Sequence, residues 1–478
     1  MMASRPAQIW RIAREEWRAM ARSRVALVAG LLLLVLTLTA SLVSYEHANA
    51  VSRERAALQH EADEQWDSQP DRHPHRVVHY GHYIFRSVSP LAFFDLGVTP
   101  FTGHALFLEG HRQNSANFSD AGQSSVLLRF GQLTPAFVLQ TVAPLLLVFL
   151  AFGSIARERE RGQLRLVMAQ GVSGGTLLAG KLLGHAAAAA ALASPALAAL
   201  CIVAAAYPDA RWQTLWMLAG YLGYLLIWSS AAVLVSASMA RARDALVALI
   251  ALWMFAAVLL PRVVPEFAGR ALPRETRIES EAAIAEELKS LGDSHNPDDP
   301  HFRKFRERTL AAYGVSRVED LPVNYGGLVI AEGERLTSEL FQRHMRADYA
   351  IQAQQAELLR GAALASPLIA LQELSAAMAG TDRASHERFL LDGEAYRYRF
   401  VQALNRLHAE KVRYKDDRDQ RIDASNWRAL PRFSAPPQPL DRIVSSHALP
   451  AFGIFALWLA ALGAVSAWLA HRLERKAQ

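Results

Sequence analysis

One cysteine in 478 residues, Cys201, rules out an intrachain disulfide framework, even for segments that face an oxidising compartment. Charged residues make up only 20% of the chain and are nearly missing from several long stretches. No dinucleotide fingerprint, zinc-protease motif or nucleic-acid module occurs, and no repeat recurs at a fixed period. The net charge of +6 does not point to a nucleic-acid partner, because the basic residues flank apolar runs instead of pooling in a patch. What is present is apolar: 52% hydrophobic residues and a mean hydropathy of +0.09. That balance suits a mixture of membrane spans and sizeable polar regions.

A helix crossing the hydrocarbon layer needs about 20 mostly apolar residues. Six runs meet that need, at 25–45, 132–155, 177–207, 212–240, 245–265 and 447–470. The first competes with a secretory signal, but its uncharged stretch Val25–Val43 is long and Ala48–Ala50 matches a cleavage site only loosely, so it reads as a retained span. Lys181 and His185 lie at the start of the third run, where Lys181 can snorkel to the interface. Ala362–Met378 carries Pro367, Gln372 and Glu373 and reads as an amphipathic soluble or interfacial helix.

Basic residues orient the spans. Arg5, Arg11, Arg14, Arg18, Arg22 and Arg24 precede the first, and alternation puts the clusters around Arg157–Arg165, Arg241–Arg243 and Arg472–Lys476 on the same side. The expected protein is an all-α membrane protein of a bacterial inner membrane, with six transmembrane helices and both termini cytoplasmic. Its cytoplasmic parts are an arm (1–24), the segment 156–176 and a tail (471–478). Its two extracytoplasmic regions are 46–131 and 266–446, which an Ala- and Arg-rich, high-GC bacterial composition would place in the periplasm. The second reads as mainly helical, over Ile278–Leu291, Phe302–Tyr313, Leu336–Leu359 and Ser385–Ala409, with breaker clusters at Asp293–Pro300 and Leu430–Pro439.

Three patterns border on chemistry. Gly175–Leu182 is P-loop-like, but Leu182 stands where the magnesium-binding hydroxyl belongs, so Gly180-x-x-x-Gly184 reads as a helix-packing spacing, as do Gly220 and Gly223. Gly171-Val172-Ser173-Gly174-Gly175 matches a nucleophile elbow but lacks a preceding strand and a histidine partner, so it reads as a helix-ending turn. The first extracytoplasmic region holds eight of the 16 histidines, and His73, His75, His79 and His82 are candidate metal ligands, although no cysteine assists and no tetrahedral spacing is set.

The informative stretch is Phe152–Gly184, a short charged helix with an apolar side, stopped by glycines and lying between two spans. Glu158-Arg159-Glu160-Arg161-Gly162-Gln163-Leu164, Ala169-Gln170-Gly171-Val172-Ser173 and Gly180-Lys181 resemble the ABC-2 type permeases. Gln163 stands where threonine is usual in that family, and the basic residue often following the serine is missing. His79-Tyr80-Gly81, Glu109-x-His111-Arg112, Ala379-Gly380-Thr381-Asp382 and Glu394-x-Tyr396-Arg397 are similar to a subgroup with two large extracytoplasmic insertions.

The resemblance implies a permease subunit, an exporter's by expectation, with no ATPase of its own. ATP and magnesium would be bound by a separate cytoplasmic ABC ATPase dimer docking on a coupling helix made of Glu158, Arg159, Glu160, Arg161, Gly162, Leu164 and Arg165. A second permease subunit and the lipid bilayer are the other implied partners, with room for a periplasmic one. The rival readings are a mechanotransmission or scaffold subunit acting on an envelope partner, and a metal-handling envelope component.

Overall fold

The computed structural model describes residues 4–477 apart from 115–117, 120–132, 293–295, 297 and 437. The expected loop at Asp293–Pro300 and the start of the second expected span therefore lie partly outside the described residues. The protein is an all-α membrane protein, and among the described residues six helices are long and apolar enough to cross a membrane. The only sheet among the described residues is a hairpin, β1 (His82–Phe85) against β2 (Ala105–Leu108), pairing His82 with Leu108 and Phe85 with Ala105.

An amphipathic helix α1 (Arg5–Arg22) leads, through the cap Ser23, into α2 (Arg24–Asp67). The sequence expectation ended this span at residue 45, but neither glycine nor proline occurs from Leu31 to Gln69, and Ala, Glu, Arg and Gln dominate beyond the apolar run. The helix therefore continues for 44 residues, about 66 Å, roughly twice the hydrocarbon thickness. The other spans are α4 (Pro135–Glu160), α6 (Gly174–Ala206), α7 (Arg211–Ser238), α8 (Ala242–Ala271) and α14 (Leu440–Arg475). Central α7 packs on α4, α6 and α14. In contrast, α2, α8 and α14 turn Leu31, Leu42, Val247, Val263, Leu457 and Trp468 outward, which suits lipid or another apolar subunit. Both chain ends lie at one end of this bundle, the terminal end, where Gly174 meets Ala470.

At the distal end the two polar regions form one unit. The far half of α2, the short helix α3 (Pro74–Tyr80), the hairpin, α13 (Arg383–Lys411) and residues 422–427 share a core of Trp66, Val77, Val78, Ile84, Leu106, Phe400, Leu404 and Trp427. Around α13 pack α11 (Tyr325–Ala362) and, beyond it, α9 (Arg277–Leu291). Helix α10 (Pro300–Tyr313) is capped by Asp299, and Tyr325 OH of α11 reaches the carbonyl of Phe302.

The segment expected to be an amphipathic soluble or interfacial helix is instead packed on most of its surface. Helix α12 (Pro367–Ala379) is buried at ten of its 13 residues, wedged between α7, α14 and the distal part of α8. It is too short to cross the hydrocarbon layer. Gly220 admits it: a Cβ there would sit 2.5 Å from Leu374 Cδ2. Its polar residues, which suggested a solvent face, are confined to one edge, where Glu373 meets Arg360 of α11 at 3.3 Å.

Candidate functional site

Four pieces of chain converge at the terminal end. The last turns of α4 run through Arg157–Glu160, then Gly162 adopts φ 72°, a left-handed conformation with open space around it, and α5 (Gln163–Ala169) follows. Ser173 ends the turn by accepting the Thr176 amide at 3.1 Å, capping α6. The segment that matches an elbow pattern and reads as a helix-ending turn thus follows the end of α5 and supplies the N-cap of α6. The Gly174 amide is taken by Glu474 Oε1 at 2.9 Å, so the tail of α14 caps the same helix.

The candidate docking residues divide into two groups. Glu158 faces inward to Lys181, Arg159 donates to the carbonyls of Met239 and Ala237 at the end of α7, and Glu160 accepts the Ala242 amide at 3.0 Å. These three fasten the segment to its own bundle. Arg161, Gly162 and Arg165 are exposed, and Leu164 is buried as the anchor of α5. Leu166, beside it, is 66% exposed, which makes it the apolar group this platform offers to a partner.

Lys181 does not snorkel. It is 3% exposed and pairs with Glu158 and with Glu16 of α1, while also donating to the carbonyl of Ser154 at 3.0 Å. Two carboxylates and a carbonyl supply inside the bundle what lipid headgroups would have supplied outside it. His185, one turn on, lies 3.4 Å from the second oxygen of Glu16. Gly180 and Gly184 make room for α1: added Cβ atoms would lie 2.6 Å from Ile12 Cβ and 2.9 Å from Glu16 Cβ, with the carbonyls of Ile9 and Ala13 at 3.0 and 3.1 Å. The G180A/G184A double variant is expected to lose about 1–3 kcal/mol through overpacking, read as earlier thermal unfolding in detergent and faster proteolysis within α1. Gly223 differs, because its Cβ would be in ordinary contact with Phe455 at 3.4 Å.

A second constellation joins the bundle to the distal unit. Helices α4 and α8 each contain a π turn, at Val138–Val142 and Met254–Leu259, which loosens the regular backbone pairing. The carbonyls there find side-chain donors: Gln140 from Tyr224 at 2.7 Å, Thr141 from Trp253 at 3.1 Å, and Ala256 from Ser366 at 2.6 Å. Tyr221 OH bonds Ser375 of α12 at 2.8 Å and accepts from Gln140 at 3.0 Å, and Gln140 also reaches Asp95. Burial pushes the Asp95 carboxyl above its ordinary range, against hydrogen bonds from Ser375, Gly97 and Gln140 that favour its charge. Asp95 in turn is tied through Thr381 to the start of α13. Hydrogen bonds thus connect both α7 and α8 directly to α12 and the residue before it.

The four candidate metal ligands separate. His75 and His79, four apart on α3, approach each other and His111, a residue the sequence did not single out as a ligand. His73 turns instead toward His408 and Asp417, and burial beside His408 pushes it down to about 4. His82 is buried against Asp63 at 3.1 Å.

With this geometry in hand, comparison with known proteins adds one match. A family profile described as a domain of unknown function (DUF3526) covers residues 277–435, from α9 through α13 to the segment that returns to the membrane. No curated protein matches the chain. The chain is thus an all-α membrane protein with six candidate spans among the described residues and a segment similar to the DUF3526 family in its distal unit.

Proposed function

We propose that this chain is the membrane subunit of an ABC-2 type transporter, driven by a separate cytoplasmic ABC ATPase that binds ATP and magnesium and docks on α5. The observation that carries the reading is the platform at the terminal end. Its short helix α5 is anchored by Leu164 and displays Leu166 and Arg165, while the last turn of α4 just before it is bonded to α6, α7 and α8 through Glu158, Arg159 and Glu160, and Lys181 of α6 in turn pairs with Glu16 of α1. A push on α5 would reach four helices at once. The basic clusters at this end support a cytoplasmic orientation, with the distal unit in the periplasm of a bacterial inner membrane. A second permease subunit would cover the apolar outward faces of α2, α8 or α14, and export is the proposed direction.

The variant L166E/R165E is expected to abolish co-purification of the ATPase while thermal unfolding of the permease stays within about 0.5 kcal/mol of wild type, as for surface changes generally. Equal recovery of ATPase by this variant would sink the docking assignment.

A mechanotransmission role has its own support. Helix α2 is unbroken from the terminal end into the distal core, where Trp66 is buried, and α12 links the spans to α13. Such a rod transmits displacement to a periplasmic partner without needing a path for substrate.

A further inference from the structure

We propose that His75, His79 and His111 form a binding site for a divalent late transition metal, zinc(II) in the first instance, on the solvent side of the distal unit. The inference stands apart from the permease reading, since it needs neither an ATPase nor transport.

The geometry comes from two separate pieces of chain. On α3, His73 caps the helix by accepting the His75 amide at 3.2 Å, and Pro74 occupies the first helical position, where its missing amide proton costs nothing. The helix so fixed puts His75 and His79 on one face, with Nε2 atoms 3.2 Å apart. Zinc–nitrogen bonds of 2.0–2.1 Å at tetrahedral angles separate two ligand nitrogens by about 3.3 Å. Two imidazoles sharing a proton would meet at a similar distance. The third histidine is what a shared proton does not require. His111 brings its ring to 5.7 Å from that of His75 and 5.4 Å from that of His79, and one ligand atom from each residue lies within 4.8 Å of the others.

His111 is held there at a cost. It has φ 64°, a left-handed conformation uncommon for a residue other than glycine, and strain of this kind gathers at functional sites. The turn is fixed from behind by Glu334, whose Oε2 accepts the His111 amide at 2.8 Å and lies 3.5 Å from His111 Nδ1. A carboxylate behind the ring of a ligating histidine sets its tautomer and orientation and raises its basicity. This one is fully buried and held in place by Arg397 at 2.6 Å.

Three imidazoles suit zinc, copper, nickel or cobalt, and a three-protein-ligand zinc site keeps a fourth position for water or another ligand. His79 is exposed, so ions reach the cluster from solvent.

The test uses the full chain in detergent, stripped of metal with a chelator and titrated with cobalt(II) alone. The expected result is one cobalt(II) per chain with the intense visible absorption of four-coordinate cobalt, bleached by zinc(II). Loss of an outer-shell partner typically weakens metal binding 10- to 100-fold, so removing a ligand in H79Q should weaken cobalt binding by about 100-fold or more. H79Q changes an exposed side chain and is expected to leave thermal unfolding of the metal-free protein unchanged, while H111Q gives a second ligand variant. H60Q, at an exposed histidine outside the cluster, should bind cobalt as wild type does. Cobalt binding that is equal in wild type and H79Q, or a wild-type spectrum of six-coordinate cobalt only, overturns the proposal.

Discussion

Replacing Lys181 by methionine is expected to be the most damaging single change at the terminal end of the bundle. The ammonium is the shared partner of Glu16 and Glu158, whose side chains are 14% and 26% exposed. Methionine keeps most of the volume and removes the charge, so two carboxylates are left facing each other with little water. Breaking a buried ion pair from one side costs about 3–5 kcal/mol, and the partial exposure of Glu158 places this case toward the lower end. The loss would appear as earlier thermal unfolding in detergent. The E158Q/K181M variant should recover part of it, because one of the stranded charges is then gone. No recovery would mean that the lysine acts through packing alone. K181M is also expected to detach α1, which meets α6 through the same residues, and protease cutting within residues 5–22 would report that step.

The corresponding change in the distal unit is Arg397→Met. Its guanidinium is 2% exposed and is held in a fork by Glu394 at 2.7 and 2.8 Å, by Glu334 at 2.6 Å and by the carbonyl of Glu109 at 3.0 Å. Both carboxylates are themselves buried. Removing the cation is expected to cost about 3–5 kcal/mol. Arg397→Lys should fall between wild type and methionine, since a single ammonium cannot reproduce the two-pronged contact with Glu394. The loss should be local. Hydrogen exchange is expected to rise across residues 105–112 and 325–411, while the spans, whose core is separate from this one, keep their protection. Uniform loss of protection throughout the chain would show that the two cores unfold as one.

The transmembrane helices were legible because each leaves an uninterrupted apolar run, and the basic clusters supplied one consistent alternation. Helices rich in Ala, Glu, Leu and Arg were equally plain: Ser385–Ala409 was expected, and the helix spans Arg383–Lys411. Other features are written in chain-distant contacts. The continuation of α2 to Asp67 carries no apolar periodicity strong enough to separate it from a polar loop. Helix α12 read as amphipathic because Gln372 and Glu373 interrupt it, whereas its remaining faces are covered by three different spans. Glu158, Arg159 and Glu160 looked like a charged surface for a partner, and their internal bonds reach residues of α6, α7 and α8 that lie 23, 78 and 82 positions away. His111 lies 32 residues beyond His79, in a Glu109-x-His111-Arg112 pattern that does not point to metal, and the signal that could have singled it out is the carboxylate of Glu334, a further 223 residues on.

The proposed function stands on a separate ABC ATPase that docks on α5. The most direct measurement is purification of the chain from its native membrane in mild detergent, with the associated proteins identified and quantified by mass spectrometry. The proposed function predicts an ABC ATPase in near-equal amount with wild type, lost from L166E/R165E while the chain itself remains folded. A folded, stable chain recovered from native membranes with no ATPase, in either form, would contradict it.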